Sequence, residues 1–250
     1  MTLPDLSIER PAAGALLRRH LGDRRFLLTL PRAVGLQVLH PAIAPALAEH
    51  TTTRLWEHKK RAVLQMIHLA CAAHDTAAAI RFAHEHVKGT DDRGARYHAL
   101  HPDTFLFQHA TYVDALMTAA DLFGPTLTTE TRAELYAQCC RWYRSYGISD
   151  RGLPTTWPEF TEYFTDACAA MLRMTPAAAA LGPQVLRPDA WVVRHLPSAA
   201  VRAMQHPRAV ELYGLSPRPA DAAALRTVAA LTRLGVATAP RLRSVSQARH

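Results

Sequence analysis

The residues of this chain best suited to chemistry are two histidines on consecutive predicted helices, His84 and His109. Arg81 comes three residues before His84 and Lys88 four residues after it, so one continuous helix would place both cations on the side of His84. A buried imidazole can bind a metal or haem iron, and nearby cations can pair with haem carboxylates. The pattern favours a buried metal or haem site, the alternative being two hydrogen-bonded core histidines.

The helix that carries His109 offers a broad aromatic face on which a macrocycle could lie. Phe105 and Tyr112 share that face, and His109 lies in the middle of it. A neutral imidazole there needs a partner for each ring nitrogen. His86 is predicted to point nearly opposite His84, so these two are not expected to chelate one ion.

A third helix adds polar groups from the segment before His84. Lys59 falls in the centre of its apolar stripe, which consists of Leu55, Val63, Met66 and Ala70. Lys59 either extends its ammonium to solvent or provides a buried amine on the distal side of a cofactor. His58 borders the stripe and could donate a hydrogen bond to dioxygen in the pocket. Arg54 is predicted to face away from it.

Bulk composition is that of an ordinary globular protein of 250 residues, with 49% hydrophobic and 20% charged residues. No apolar run reaches 18 residues, and the N-terminus lacks a secretory signal pattern. We therefore expect a cytoplasmic protein without stable membrane insertion. The four cysteines lack C-x-x-C spacing and are predicted to be reduced, packed as small hydrophobes.

The net charge of +8 does not by itself indicate a nucleic-acid partner. Basic residues are spread along the chain, without a clustered stripe or interleaved aromatics, and only Lys59, Lys60 and Lys88 are lysines. We predict no nucleic-acid binding. The sequence also lacks the common nucleotide-binding, hydrolase and zinc-protease motifs, and His40, followed by Pro41, is predicted to be a turn or capping residue.

The apolar period is helical almost throughout, which predicts an all-α bundle forming a single domain over residues 1–250. Helices are expected near 11–21, 23–30, 32–48, 52–73, 75–88, 102–123, 128–146, 157–174, 198–213 and 219–235. Asp75 is expected to cap the helix of His84, and Gly89 to end it. Residues 175–198 are expected to be a Pro-rich connector, with C-terminal helices over 198–235 and a frayed tail over 241–250.

Several motifs, taken in order, resemble the MpaB and latex-clearing-protein family, which shares the rubber oxygenase catalytic domain. The matching segments are Gln37-Val-Leu-His40-Pro41, the helix that begins near Arg54, His84-x-x-Val87-Lys88-Gly89, Tyr97-x-Ala99-x-His101-Pro102-Asp103, His109-Ala-Thr and Leu153-Pro154-Thr155-x-x-x-Glu159-Phe160-x-x-Tyr163. The resemblance covers a core of about 30–170. It implies a globin-like all-α core that binds haem b and uses dioxygen on unsaturated or prenyl-like substrates.

The resemblance also implies roles for individual residues. The axial histidine of the family falls on His84, its arginine on Arg81, the next cation on Lys88 and its second histidine on His109. One departure lies on the distal helix, where the latex-clearing pattern Arg-x-x-Lys-Thr is matched by Arg54-Leu-Trp-Glu-His, with Lys59 close by. This departure argues against rubber itself as the substrate.

Together these observations predict a haem-dependent oxygenase acting on a small apolar, unsaturated or natural-product-like molecule. In this hypothesis His84 is the iron ligand, whereas His58 and Lys59 are distal catalytic groups. The predicted cofactor-binding residues are Arg81, Lys88, His109 and Arg54. The alternatives are a non-catalytic haem carrier or sensor, a non-haem metal oxygenase using His84 and His109, and a basic helical nucleic-acid binder.

Overall fold

The computed structural model describes residues 14–71 and 76–238, and the described part is an all-α fold with one small hairpin. Its α-helices are α1 (Ala15–Leu21), α2 (Arg24–Leu28), α3 (Leu30–Leu39), α4 (Ile43–His50), α5 (Leu55–Cys71), α6 (Thr76–His84), α7 (Pro102–Phe123), α8 (Thr129–Ser145), α9 (Trp157–Met171), α10 (Pro176–Leu186), α11 (Ser198–Met204), α12 (Pro207–Leu212) and α13 (Pro219–Thr238). The strands are β1 (Lys88–Thr90) and β2 (Arg96–His98), and Val192–His195 forms a 3-10 helix. The predicted all-α class is confirmed.

In the middle of the chain, the helices begin and end at or near the residues that the sequence predicts. Pro102 opens α7 and Gly124 ends it, while the Thr128 side chain accepts from the Thr131 N–H at the start of α8. Gly147, with φ of 66°, follows the end of α8. The predicted cap at Asp75 and the predicted tail over 241–250 lie outside the described residues.

The helix predicted over 32–48 is wrong, because the chain turns at His40. This residue is extended, with ψ of 127°, and its Nδ1 accepts from the Ala42 N–H at 3.1 Å. The following Pro41 disfavours helical backbone at His40. The turn prediction for His40 is thus confirmed, and the segment forms two helices, α3 and α4.

The helix predicted over 75–88 is also wrong at its end. It stops at His84, and the chain continues into a hairpin in which Gly89 pairs with Tyr97. A Cβ on Gly89 would lie 2.6 Å from the Tyr97 hydroxyl, so this close approach requires glycine. Asp91 closes the turn, because its Oδ1 accepts from the N–H groups of Arg93 and Ala95.

The C-terminal third is more helical than its proline content predicts. The expected connector over 175–198 contains α10, whose start is capped by Thr175 through a hydrogen bond from the Ala178 N–H. The helix expected over 198–213 is two helices, since the backbone is extended at Gln205 and His206. Pro207 then begins α12.

The core forms around α3 and α7, which pack against each other. Nearly every residue of α3 is buried. Three helices from the C-terminal part of the chain, α10, α11 and α12, pack against it. Arg32 and Asp114 join the two central helices with an ion pair of 2.6 Å. Cys139, Cys140 and Cys168 are buried, whereas Cys71 is exposed. Within residues 14–71 and 76–238, no helix is long and apolar enough to cross a bilayer.

Candidate active site

A cavity of about 440 Å³ opens between α4, α5, α6 and α7, within the size range of small-molecule sites. Most of its wall is apolar, with side chains such as Ile43, Leu47, Met66, Ile80 and Phe105. The basic and imidazole side chains along its wall are His50, His58, Lys59, Arg61, His84, His86 and His109. No aspartate or glutamate is among the residues described along its wall. The cavity therefore suits an apolar ligand that carries negative charge.

His84 is the last residue of α6 and reaches this cavity as a neutral ring. Its Nδ1 lies 2.9 Å from the Ile80 carbonyl oxygen, which can only accept, so Nδ1 carries the proton. Burial lowers the pKa of His84, although the hydrogen bond to Ile80 raises it in part. Nε2 is then the unprotonated nitrogen. A backbone carbonyl on the other ring nitrogen is the usual support of a metal-binding histidine.

Phe105, on α7, packs against the ring of His84. The two rings meet edge to face, with centroids 5.8 Å apart, and Phe105 also contacts Tyr146 at 5.2 Å. The predicted aromatic face of α7 thus lies beside His84.

Lys59 and His58 enter the same cavity from α5. Lys59 is only 2% exposed, and its Nζ donates to Gln37 Oε1 at 2.7 Å. Burial lowers the pKa of Lys59 to about 7, and burial followed by the neighbouring Lys59 charge lowers the pKa of His58 to about 4. The expectation that Lys59 lies in the apolar stripe is confirmed, and its amine does not extend to solvent.

His109 lines the cavity from α7 and is enclosed by aromatic rings. Its ring lies 4.6 Å from that of Trp142, 5.2 Å from Tyr143 and 5.7 Å from Tyr146. Burial lowers the pKa of His109 to about 3, with a smaller opposing effect from a hydrogen bond to the Cys139 backbone. His109 is therefore neutral, and its buried Nδ1 has no hydrogen-bond partner within the described ranges.

The structure does not bring the other predicted site residues to the cavity. Lys88 lies on β1 and is exposed, so its predicted position one turn after His84 is wrong, because α6 ends at His84. Arg81 is exposed on α6 and does not line the cavity. Arg54 precedes α5, and its guanidinium pairs with Asp189 at 2.8 Å, away from the cavity wall.

Three other residues at the cavity were missed or misplaced by sequence reasoning. His86 was predicted to point away from His84, but the helix ends before it, and it contributes to the same cavity wall. Its ring lies 6.1 Å from that of His50, at the end of α4. Arg61 also lines the cavity, and its Nη2 donates to Thr53 Oγ1 at 2.8 Å. Arg61 follows Lys59 by two residues. Because residues two apart lie on different faces of an α-helix, the sequence did not predict that both would reach the cavity.

Gln37 and Thr111 form a second missed feature, which lies behind Lys59. Gln37 is fully buried on α3, and its Nε2 donates to Thr111 Oγ1 on α7 at 2.7 Å. The one available signal was a single glutamine within an otherwise apolar helix, since burying an amide requires hydrogen-bonding partners. Those partners are 22 and 74 residues away, which a local pattern cannot show.

Comparison with known proteins decides the family. A family model described as the ER-bound oxygenase mpaB/B'/Rubber oxygenase, catalytic domain, matches residues 18–234. The chain belongs to this family. The match covers most of the chain and includes every helix that surrounds the cavity. No curated protein and no solved structure matches it.

Membership of the mpaB and rubber oxygenase family confirms the resemblance predicted from the motifs and supports oxygenase activity. The family match runs beyond the expected core of 30–170 and includes α10 to α12. These helices cover α3, which carries Gln37. They therefore fall within the family match together with the helices that surround the cavity.

Proposed function

We propose that this chain is a haem b-dependent oxygenase that uses dioxygen on a small apolar substrate. The observation that carries the proposal is the geometry of His84, whose Nδ1–H donates to Ile80 and leaves Nε2 unprotonated at a large, mostly apolar cavity. The family match supports the oxygenase part of the proposal.

The residues at the cavity fit a haem better than a metal ion held by protein ligands alone. Over the described ranges, no group of three or more histidine, cysteine, aspartate or glutamate side chains could hold a metal ion. A haem needs only one such ligand, since the porphyrin supplies four. His84 would be that ligand. The chemistry that haem supplies when bound is the electron-transfer and dioxygen chemistry of its iron.

Arg61, His50 and His86 are the candidates for contact with the haem carboxylates, in place of the predicted Arg81 and Lys88. Arg61 carries a permanent charge, and its hydrogen bond to Thr53 restricts where its guanidinium lies. The absence of carboxylates among the described wall residues leaves these groups without a competing acidic partner in the cavity. A carboxylate at this wall would be stabilised by charge-assisted hydrogen bonds.

The remaining wall residues would bind and orient the substrate. Apolar side chains from α4, α5 and α6 line the cavity and favour an apolar substrate. His58, neutral at pH 7, can donate one hydrogen bond to dioxygen or to a polar group of the substrate. His109 would line the cavity, held in place by the aromatic rings around it.

Paired substitutions of His84 and His86 test the proposal. His84→Ala removes the only residue proposed to hold the iron, so we expect retained haem to fall by about tenfold or more, since even supporting partners of metal ligands are worth ~10–100-fold. His86→Ala should retain most of the haem, because His86 is one of three candidate carboxylate contacts and is not the proposed iron ligand. The measurement is haem absorbance per protein after gel filtration, with circular dichroism as the folding control.

The same preparations separate an oxygenase from a haem carrier. We expect oxygen consumption that depends on an added apolar unsaturated compound in the wild-type protein and is lost in His84→Ala. A panel of prenyl-like and terpenoid compounds provides candidate substrates. Haem binding without substrate-dependent oxygen uptake across the panel would favour the carrier.

A further inference from the structure

Three hydrogen bonds run in series from the cavity into the core. Lys59 Nζ donates to Gln37 Oε1, Gln37 Nε2 donates to Thr111 Oγ1, and Thr111 Oγ1 donates to the Gln108 carbonyl oxygen, each at 2.7 Å. The participating side chains of Lys59, Gln37 and Thr111 are buried and belong to α5, α3 and α7. The series therefore connects the cavity wall to the two central helices.

The direction of this series is fixed by its inner end. The Gln108 carbonyl can only accept, so the single hydroxyl hydrogen of Thr111 points to it. Thr111 Oγ1 must then accept from Gln37, which sets the NH₂ group of the amide towards Thr111 and its oxygen towards Lys59. Lys59 Nζ consequently donates to Gln37 Oε1. If the amine is neutral, its nitrogen also has one lone pair that can accept a proton in the cavity.

Among the residues that the structure describes, none that shares the cavity wall with Lys59 brings a negative charge. The titratable groups that share its cavity wall are His58, Arg61, His84, His50, His86, His109, Tyr112 and Tyr146. The bases among them bring no negative charge, burial raises the pKa of Tyr112 to about 12, and the pKa of Tyr146 also lies above its ordinary value because of burial. Gln37 is thus an uncharged acceptor for a fully buried amine, an arrangement that favours the neutral form of Lys59.

We propose that Gln37, oriented by Thr111, is a positioning residue that holds the Lys59 amine by one N–H and turns its lone pair into the cavity. Lys59 is then a neutral nitrogen base that can accept one proton from a bound ligand and return it. The inference deepens the proposed function, because it gives the oxygenase cavity an uncharged base. It stands on the hydrogen-bond series and does not depend on haem.

Lysine-selective NMR can test this directly, since the chain has only three lysines, Lys59, Lys60 and Lys88. The full-length protein, labelled at the lysine ε-carbon, is reduced and saturated with carbon monoxide so that any bound haem is diamagnetic. We expect one signal, absent in Lys59→Met, to titrate near neutral pH, because burial lowers the pKa of Lys59 to about 7.

Substitutions in the series then test the positioning role. Gln37→Glu places a carboxylate beside the amine and should raise the Lys59 midpoint by about 1 to 3 pH units. Thr111→Val removes the acceptor that orients Gln37 and should shift the Lys59 signal, whereas Thr111→Ser keeps the hydroxyl and should restore the wild-type signal. If Thr111→Val does not fold, Gln37→Glu by itself still tests whether Gln37 contacts the Lys59 amine.

Two results would overturn the inference. One is a Lys59 midpoint close to the ordinary value of a lysine side chain, ~10.4, in the wild-type protein. The other is a Lys59 signal that is the same in Gln37→Glu and Thr111→Val as in the wild type. A protein that shows the expected lysine behaviour but binds no haem would contradict the proposed function and leave this inference standing.

Discussion

At the residue scale, periodicity predicted the cavity residues wherever the helix is continuous. His58 and Lys59 on α5 and His84 on α6 line one cavity, as their positions at apolar helix faces indicated. The same reasoning wrongly placed Lys88 beside His84, because α6 ends at His84 and Lys88 lies on β1. Gln37 could be recognised only as a polar residue in an apolar run, since its partners come from distant segments.

The cations provide a prediction at this scale. Arg61→Ala should weaken haem retention several-fold, because a permanent charge at the cavity wall is lost, while Arg81→Ala and Lys88→Ala should leave retention unchanged. Haem transfer to apomyoglobin measures the rate of loss from each variant. Faster loss from Arg81→Ala than from Arg61→Ala would support the sequence-based assignment instead.

His109 should make the protein less stable in acid. Its pKa is about 3 in the fold and ~6.5 in the unfolded chain, so the unfolded chain binds its proton first as the pH falls. Stability is therefore lost below pH ~6.5, at about 1.4 kcal/mol per pH unit, or about 2 kcal/mol between pH 7 and pH 5. Urea unfolding of His109→Phe should show a pH dependence weaker by that amount.

The matched control for His109 is His68→Gln, because His68 is exposed on α5. The loss of pH dependence should be larger in His109→Phe than in His68→Gln. An unchanged pH dependence in His109→Phe would mean that the imidazole of His109 is not neutral in the fold.

At the element scale, the hairpin determines where the chain goes after His84. Tyr97 on β2 donates to Glu49 Oε2 on α4 at 2.6 Å, and Arg173 pairs with Asp91 at 3.2 Å in the hairpin turn. These contacts fix the segment between α6 and α7 and bring His86 to the cavity wall. The sequence did not predict the hairpin because its strands have only three residues each, too few for an alternating pattern.

Tyr97→Phe should loosen this hairpin. Loss of a hydrogen bond to a charged group is expected to cost about 1.5–3 kcal/mol, and the opening should be local. Hydrogen exchange by mass spectrometry should show faster exchange over residues 85–100. Tyr213→Phe is the control, because its hydroxyl donates to the Gly35 carbonyl on α3 and not in the hairpin. Equal acceleration over 85–100 in both variants would contradict a local role.

At the scale of the whole molecule, the C-terminal helices hold α3 and thereby Gln37. Gln205, after α11, donates to the carbonyls of Pro31 and Val201 and lies against Gly35. The all-α class followed from apolar periodicity, since most helices are long enough to show it. The breaks at His40 and Gln205, and α10 within a proline-rich segment, depend on capping and tertiary packing that periodicity does not report.

Gly35 tests this packing. A Cβ there would lie 2.2 Å from Gln205 Oε1, whose amide is held by two hydrogen bonds, so Gly35→Ala should destabilise the protein by about 1–3 kcal/mol. Gly235→Ala, in α13, would meet open space and should stabilise the helix by up to about 1 kcal/mol. Thermal unfolding measures both changes. A neutral Gly35→Ala would show that α3 and Gln205 are not tightly packed.

The most direct test of the central claim is cofactor analysis of the purified full-length protein, produced with ample haem precursor. We expect a strong Soret band, about one haem per chain, and the pyridine haemochrome spectrum of haem b, with retention lost in His84→Ala. Iron bound without porphyrin would contradict the proposed haem site, and a colourless, folded protein that fails to take up added haemin would contradict it as well.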